Sequence, residues 1–212
     1  MSPKQIIPII ILCDESQHVS DSALDSAIAS IKNLHKEIVA NPEIENQTRL
    51  SIFGFSTSCE EITPLAQATE LNELLGFQSG GQCNLGLASE SIAKIIGSTV
   101  ISLKSNHSNS GTKLLRPILI LLLGSNPADE WTTKFEDLLD RSLYPAPSTF
   151  VYALPSVDEK TFSNLELITS KHFNSCVRVP DWSMTTSDAF KVLRQSLLDS
   201  EPKTLPTSSE NQ

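Results

Sequence analysis

Residues Ile6–Ser20 read IIPIIILCDESQHVS. The stretch opens on an apolar run, Ile6, Ile7, Ile9, Ile10, Ile11 and Leu12, too short to span a bilayer and dense in β-branched side chains. Such a run reads as a strand buried on both faces. Asp14-Glu15-Ser16 follows at once, and then a segment with helical periodicity. A central strand that ends in an acidic, hydroxyl-bearing loop and enters a helix sets polar groups at the carboxyl end of a sheet. In open α/β folds that is where ligands sit.

Beyond the loop, Ala23, Leu24, Ala27, Ile28, Ile31, Leu34 and Ile38 form a 3.6-residue stripe, which predicts a helix over 20–39 with Ser20 as N-cap and Asp21 in its first turn. Ala40-Asn41-Pro42 stops it. Residues 49–55 (RLSIFGF) predict a strand, and 59–63 predict its hairpin partner at the sheet edge, with Ser56-Thr57-Ser58 as the turn. A short helix is expected over 68–75. A glycine-bearing loop, 76–84, leads to helical periodicity over 85–103, and 104–113 is a Ser/Asn-rich insertion read as mobile. Residues 118–123 (ILILLL) form the most apolar window and predict a second central strand, ending at Gly124-Ser125-Asn126-Pro127. A helix over 128–141, a strand over 149–154, a helix over 158–170, a strand over 175–179 and a closing helix over 186–198 complete the pattern. Trp131 and Trp182, each near a loop–helix junction, are expected to pack over the sheet.

Strands alternating with helices of this length pair in parallel through right-handed crossovers. The expected fold is α/β: a doubly wound, Rossmann-like, mostly parallel six-stranded sheet with one antiparallel edge strand. A length of 212 residues suits one domain over 1–199 and a disordered tail over 200–212, where Leu205 is the lone apolar residue.

Composition narrows the function classes. Hydrophobic residues make up 39%, enough for a real core, and the formal net charge is −9. An acidic chain is a poor match for nucleic acid or an anionic membrane, since both need a basic face. No run has signal-peptide anatomy, so the expected location is the cytoplasm. Cys13, Cys59, Cys83 and Cys176 form no C-x-x-C pair and read as reduced, small hydrophobic residues.

The hydrophobic strand, then D-x-S-x-S, then helix resembles the von Willebrand factor A domain, and within that superfamily the bacterial, tellurium-resistance-associated TerY-like branch. The resemblance covers nearly all of the chain and implies the same order of elements as the periodicity. It also implies a metal-ion-dependent adhesion site assembled from three loops. These are the D-x-S-x-S loop, a glycine-rich turn with a threonine (commonly G-G-T-x-L-G), and an aspartate after the central strand (commonly T-D-G-x-P-T-D). Asp14 and Ser16 match the first loop, but His18 replaces its second serine. In 80–86 (GGQCNLG) Cys83 holds the threonine position when aligned on Leu85-Gly86, and Gln82 holds it when aligned on Gly80-Gly81. Either way the hydroxyl is absent, and a thiol is a poor magnesium donor. Gly124 stands where the third-loop aspartate would be. Asp129, beside Glu130, matches a later acidic position that marks a helix start in the family. Magnesium needs hard oxygen donors in near-octahedral geometry. Asp14 and Ser16 are therefore the metal candidates of a degenerate site expected not to function. A softer site from Asp14, His18 and Cys83 is the competing metal arrangement, and Glu15 could offer a replacement carboxylate. The plainer alternative is that Asp14 and Ser16 satisfy backbone N–H groups and cap the following helix.

The expected function is a non-catalytic protein–protein interaction module without a cofactor, magnesium or another divalent cation being disfavoured. By resemblance its partners are proteins of a bacterial stress or tellurium-resistance-like system. Contacts are expected from Glu15, His18, Gln82, Cys83, Asn126 and Asp129. The alternative is a hydrolase or nucleotide-binding domain using Asp14 in the same crevice. Enzyme signatures are poor: 54–58 (GFSTS) is not G-x-S-x-G, the Ser79-Gly80-Gly81 turn lacks a phosphate-gripping lysine, and no G-x-G-x-x-G follows the first strand. His35, His107 and His172 read as surface residues.

Overall fold

The first strand, β1 (Gln5–Asp14), is buried at every position, and its side chains divide between two cores. Ile7, Ile9, Ile11 and Cys13 enter one, while Ile10 and Leu12 enter the other. That division follows from the two-residue period of a strand. The computed structural model describes residues 5–71, 76–107, 112–140, 142, 146–185, 190, 191, 193–195 and 197.

After β1 come α1 (Asp21–Val39), α2 (Pro42–Gln47), β2 (Thr48–Phe55), β3 (Cys59–Ala66), α3 (Leu85–His107), β4 (Lys113–Leu114), β5 (Ile118–Leu123), α4 (Thr132–Leu139), β6 (Ser148–Ala153), α5 (Glu159–Lys171) and β7 (Ser175–Arg178). Short 3-10 helices span Ala68–Glu70 and Trp182–Met184. The sheet order is β3-β2-β1-β5-β6-β7, with β4 added beside the start of β1. β2/β3 is the antiparallel pair, and all other ladders are parallel. Chain order reverses direction across β1, which has β2 on one side and β5 on the other. The carboxyl ends of β1 and β5 therefore flank the switch-point crevice.

The expected α/β class and the antiparallel edge pair are found. Several boundaries differ for identifiable reasons. The sheet has seven strands rather than six, because Lys113 and Leu114, at the end of the 104–113 insertion and just beyond it, pair with Gln5 and Ile6. A two-residue ladder has no periodicity to detect. Ala40-Asn41-Pro42 does end α1, but a further helix, α2, follows without a sequence signal: the Asn41 side chain accepts from Ile44 N and Pro42 opens it. β3 runs through Pro64 to Ala66, which an edge strand tolerates because one row of its N–H groups faces outward. α4 begins at Thr132, four residues later than expected. The start of the expected 68–75 helix is a 3-10 turn, and 72–75 lie outside the described residues. The described residues within 190–197 are helical, whereas the expected tail, 200–212, lies outside the described residues.

One core holds α1, α2 and the 190–197 segment against the sheet, and the other holds α3, α4 and α5. Trp131 and Trp182 are both buried, at 8% and 0% exposure, as core packing requires. Cys13 and Cys83 are buried, Cys59 and Cys176 are half-buried, and all four are free thiols. No helix among the described residues is long and apolar enough to cross a membrane.

Candidate functional site

β1 delivers Asp14 to the crevice floor, where it is fully buried. Its Oδ1 accepts from Ser16 N at 3.0 Å. Its Oδ2 accepts from Gly124 N at 3.1 Å and from Ser125 Oγ at 2.8 Å. Ser16 Oγ lies 2.9 Å from Ser125 Oγ, and both serines are buried. One carboxylate thus receives three donors and ties the end of β1 to the end of β5. A buried charge needs this kind of compensation, since an unpaired one is strongly disfavoured.

Position 124 is constrained by its neighbours. A Cβ there would stand 2.8 Å from Val19 Cγ2 and 3.1 Å from the Trp182 ring. Trp182 is held by its indole N–H, which donates to Tyr152 O at 3.1 Å. Apolar side chains from the β1–α1 loop and from the segment after β7 therefore fill the space that a third-loop side chain would enter.

The second loop closes the other side. Gln78 N donates to Glu15 Oε2 at 3.0 Å, Gly80 N to Glu15 O at 2.9 Å, and Gln17 N to Gly81 O at 3.0 Å. Gly81 adopts φ +70°, a region that suits glycine, and an added Cβ would also meet Thr57 Oγ1 at 2.9 Å. The Glu15 carboxylate lies over Gly54, where a Cβ would come within 2.6 Å of it. Burial raises the Glu15 pKa; the Gln78 N–H opposes this, and the nearby Glu60 and Asp14 charges add to the rise. Cys83, not Gln82, faces the crevice: its thiol lies 3.9 Å from Ser125 O, whereas Gln82 is exposed. Burial and then the Asp14 charge push the Cys83 thiol far above its ordinary range. That thiol is neutral at physiological pH.

Asp129 is engaged elsewhere. Its carboxylate accepts from Gly86 N at 3.0 Å and Leu87 N at 2.9 Å, capping the first turn of α3 from a separate loop. Asn126 is exposed and accepts from Asp158 N at 2.8 Å. His18 is exposed, with its Nε2 3.5 Å from Gln17 Nε2. Asp14, His18 and Cys83 do not come together as ligands, and no cluster of three or more His, Cys, Asp or Glu side chains fit to hold a metal occurs among the described residues. Reasoning from sequence missed Ser125, Val19 and Gly54 as parts of the site. Only Ser125 carried a signal, a hydroxyl immediately after the central strand.

No protein-family model and no curated protein matches the sequence. Solved structures do resemble it. One is the ArnB paralog VWA2 from Sulfolobus acidocaldarius, with TM-score 0.56, 17% identity, and 88% of this chain matched to 44% of that one. A mutant of the PilB minor pilin from Streptococcus sanguinis gives TM-score 0.63 at 12% identity, over 95% of this chain and 65% of that one. Proximal thread matrix protein 1 from the mussel byssus, with a zinc-occupied MIDAS motif, gives 0.60 at 12% identity, over 92% of this chain and 48% of that one. What this chain shares with them is the fold. This chain spans about half the length of the VWA2 and mussel chains and about two thirds of the pilin.

Proposed function

We propose that this chain is a non-catalytic protein-interaction module whose metal-ion-dependent adhesion site has decayed, leaving a cation-free crevice. One observation carries the reading: both Asp14 oxygens are occupied by Ser16 N, Gly124 N and the Ser125 hydroxyl. A hard divalent ion would have to displace those donors, and the residues around it offer little in exchange. The Ser16 hydroxyl is engaged with Ser125, the second loop brings a thiol, and position 124 has no side chain. In our reading the residues present do not fit magnesium. The 0% exposure of Asp14 also lends nothing to a hydrolase or nucleotide-binding role for that carboxylate.

Titration calorimetry with magnesium and manganese tests this reading on the intact chain and on Asp14→Ala. Neither ion should give binding heat with either protein. Tight binding by the intact chain that Asp14→Ala abolishes would overturn the decayed-site reading. Assignment to a bacterial stress or tellurium-resistance-like system rests on the resemblance of the Asp14–Ser16 loop and the order of elements to the TerY-like branch. Co-purification of the tagged chain with products of such a system from a bacterial host tests that part.

A further inference from the structure

β7 ends one side of the sheet, and no described strand lies beyond it. Val179 N donates to Ala153 O at 2.9 Å, so by alternation Val177 and Ser175 also turn their backbone groups toward β6. The N–H and C=O groups of Cys176 and Arg178 therefore point outward, with Val177 between them. The opposite edge is blunted: β3 carries exposed Glu60, Glu61 and Pro64 and two register shifts against β2. β7 is short, but it has no proline and no bulge, and its one charge is folded back. Arg178 donates to Val157 O at 2.7 Å and to Glu159 at 3.2 Å, with its guanidinium 4.2 Å from the Phe162 ring. Three of the four exposed large apolar side chains among the described residues, Leu167, Phe173 and Val177, fall within α5, the turn after it and β7. Cys176 packs against the core of α3, α4 and α5, so it shares that face of the sheet with Arg178, while Val177 takes the other. Burial, and after it the Glu166 charge, raises the Cys176 thiol, which puts the exposed Glu166 carboxylate near Cys176. No ion pair among the described residues involves Glu166.

We infer that β7 is the docking edge for a second copy of this chain, paired antiparallel about a two-fold axis through Val177. The contact does not involve the Asp14 crevice. In an antiparallel ladder, residue pairs that exchange both backbone bonds alternate with pairs that exchange none. With the axis at Val177, Cys176 of each copy exchanges both bonds with Arg178 of the other, so every outward group of the strand is used. Pro180 comes next in the outward row; it has no N–H and ends the ladder. Val177 meets its own twin as a close, non-bonded pair, covering a side chain that is 48% exposed. On the other face Arg178 stands opposite Cys176 of the second copy, and hence beside its Glu166. A guanidinium has five N–H donors, its bonds to Val157 and Glu159 use two, and Glu166 supplies a further acceptor. The pairing forms on both sides of the axis, as an isologous contact requires. The net charge of −9 opposes association, but its remote part is screened over about 8 Å at physiological salt, whereas Arg178 and Glu166 act at contact. A ladder this short makes a weak dimer, present in concentrated protein and dissociated in the dilute solutions used for unfolding.

Sedimentation equilibrium of the full chain, carried up to millimolar concentration, tests this. A reversible monomer–dimer equilibrium is expected, with no larger species. Cys176→Pro removes an outward N–H and leaves the bonds to β6 in place; by symmetry the dimer loses two bonds, so association should weaken at least about tenfold. Glu166→Lys sets a cation beside Arg178 of the second copy and should weaken it by about as much. Glu166 is exposed, so an unchanged melting curve shows that this variant folds. The register has its own readout. Opposed residues of a non-bonded antiparallel pair have Cα atoms about 4.5 Å apart, within the span of about 4.4–6.8 Å that a disulfide bridges. Under mild oxidation Val177→Cys should therefore cross-link two copies at least about tenfold faster than Leu167→Cys, although Leu167 is the more exposed. Peptide mapping should place the link at position 177 in both copies. A chain that stays monomeric at every concentration would overturn the inference and leave the edge to a strand of another protein. A dimer indifferent to both edge variants, or cross-linking as fast at 167 as at 177, would overturn it too, by placing the contact elsewhere on the molecule.

Discussion

At the residue scale, Ser125 is the side chain whose removal tells most. Its hydroxyl lies 2.8 Å from Asp14 Oδ2 and 2.9 Å from Ser16 Oγ. Ser125→Ala leaves a buried carboxylate one donor short, and an unsatisfied buried polar group costs about 1–3 kcal/mol. Urea unfolding should show that loss, unrelieved by magnesium; a variant as stable as the parent would mean that the hydroxyl is not what balances Asp14. Glu15 behaves differently because burial raises its pKa above the ordinary 4.5. An acid that holds its proton more tightly when folded makes stability fall as pH rises from about 4.5 through the folded pKa, and acidification restores it. Glu15→Gln should flatten that slope in unfolding curves taken across the window. The thiols give a third readout. Burial first, and nearby carboxylates second, push Cys59 and Cys176 up to about 12. Because the thiolate is the reactive form, alkylation of the folded chain at mildly alkaline pH should be far slower than in denaturant. Equal rates would show that these thiols are not held in the folded environment described. Asp14 and Ser16 could be singled out from sequence because they lie two residues apart in a recognisable pattern. Ser125 could not be assigned its role, because it meets Asp14 across 111 residues of chain.

At the scale of elements, the two edges of the sheet and its centre differ sharply in what they tolerate. β1 pairs with β2 and β5 along most of its length, and Ile9 and Ile11 are each 1% exposed. Truncating either to Ala removes buried methyl groups and opens a cavity, at a cost of about 2–5 kcal/mol. Val177 on the β7 edge is 48% exposed, and Val177→Ala should change stability by less than about 0.5 kcal/mol. A comparable effect at both positions in chemical denaturation would contradict the placement of β1 at the centre. The apolar runs that identify β1 and β5, and the periodicity that identifies α1 and α5, are the visible trace of this burial. The elements that escaped it, α2 and β4, are short, and their formation depends on neighbours. α2 is fastened by Glu45, whose carboxylate accepts from the Thr69 hydroxyl at 2.6 Å and from Gln67 Nε2 at 3.2 Å. Those bonds, the Thr69 hydroxyl foremost, lower its pKa below 4.5. No local pattern in residues 42–47 announces a partner more than 20 positions away.

For the whole molecule, the proposed reading turns on whether the crevice lacks a cation ligand or lacks the room for one. The switch point survives, since β1 and β5 still present their carboxyl ends side by side. The volume beside Gly124, however, belongs to Val19 and Trp182, at 2.8 Å and 3.1 Å from a hypothetical Cβ. These two residues join the β1–α1 loop to the segment after β7, so they tie distant parts of the chain through the position a third-loop carboxylate would need. Placing a carboxylate there is therefore expected to damage the fold rather than build a cation site. Gly124→Asp forces atoms into a packed region, and such overpacking costs about 1–3 kcal/mol or more. Its melting temperature should fall and stay low in magnesium. A recovered site would behave otherwise: a ligand at a hundred times its dissociation constant adds about 2.7 kcal/mol to the folded state. Magnesium-dependent stabilisation of that size in Gly124→Asp would mean that Val19 and Trp182 yield readily and that the crevice lacks only a carboxylate. A destabilised variant indifferent to magnesium would locate the change in packing, in side chains that the metal-site motif does not include.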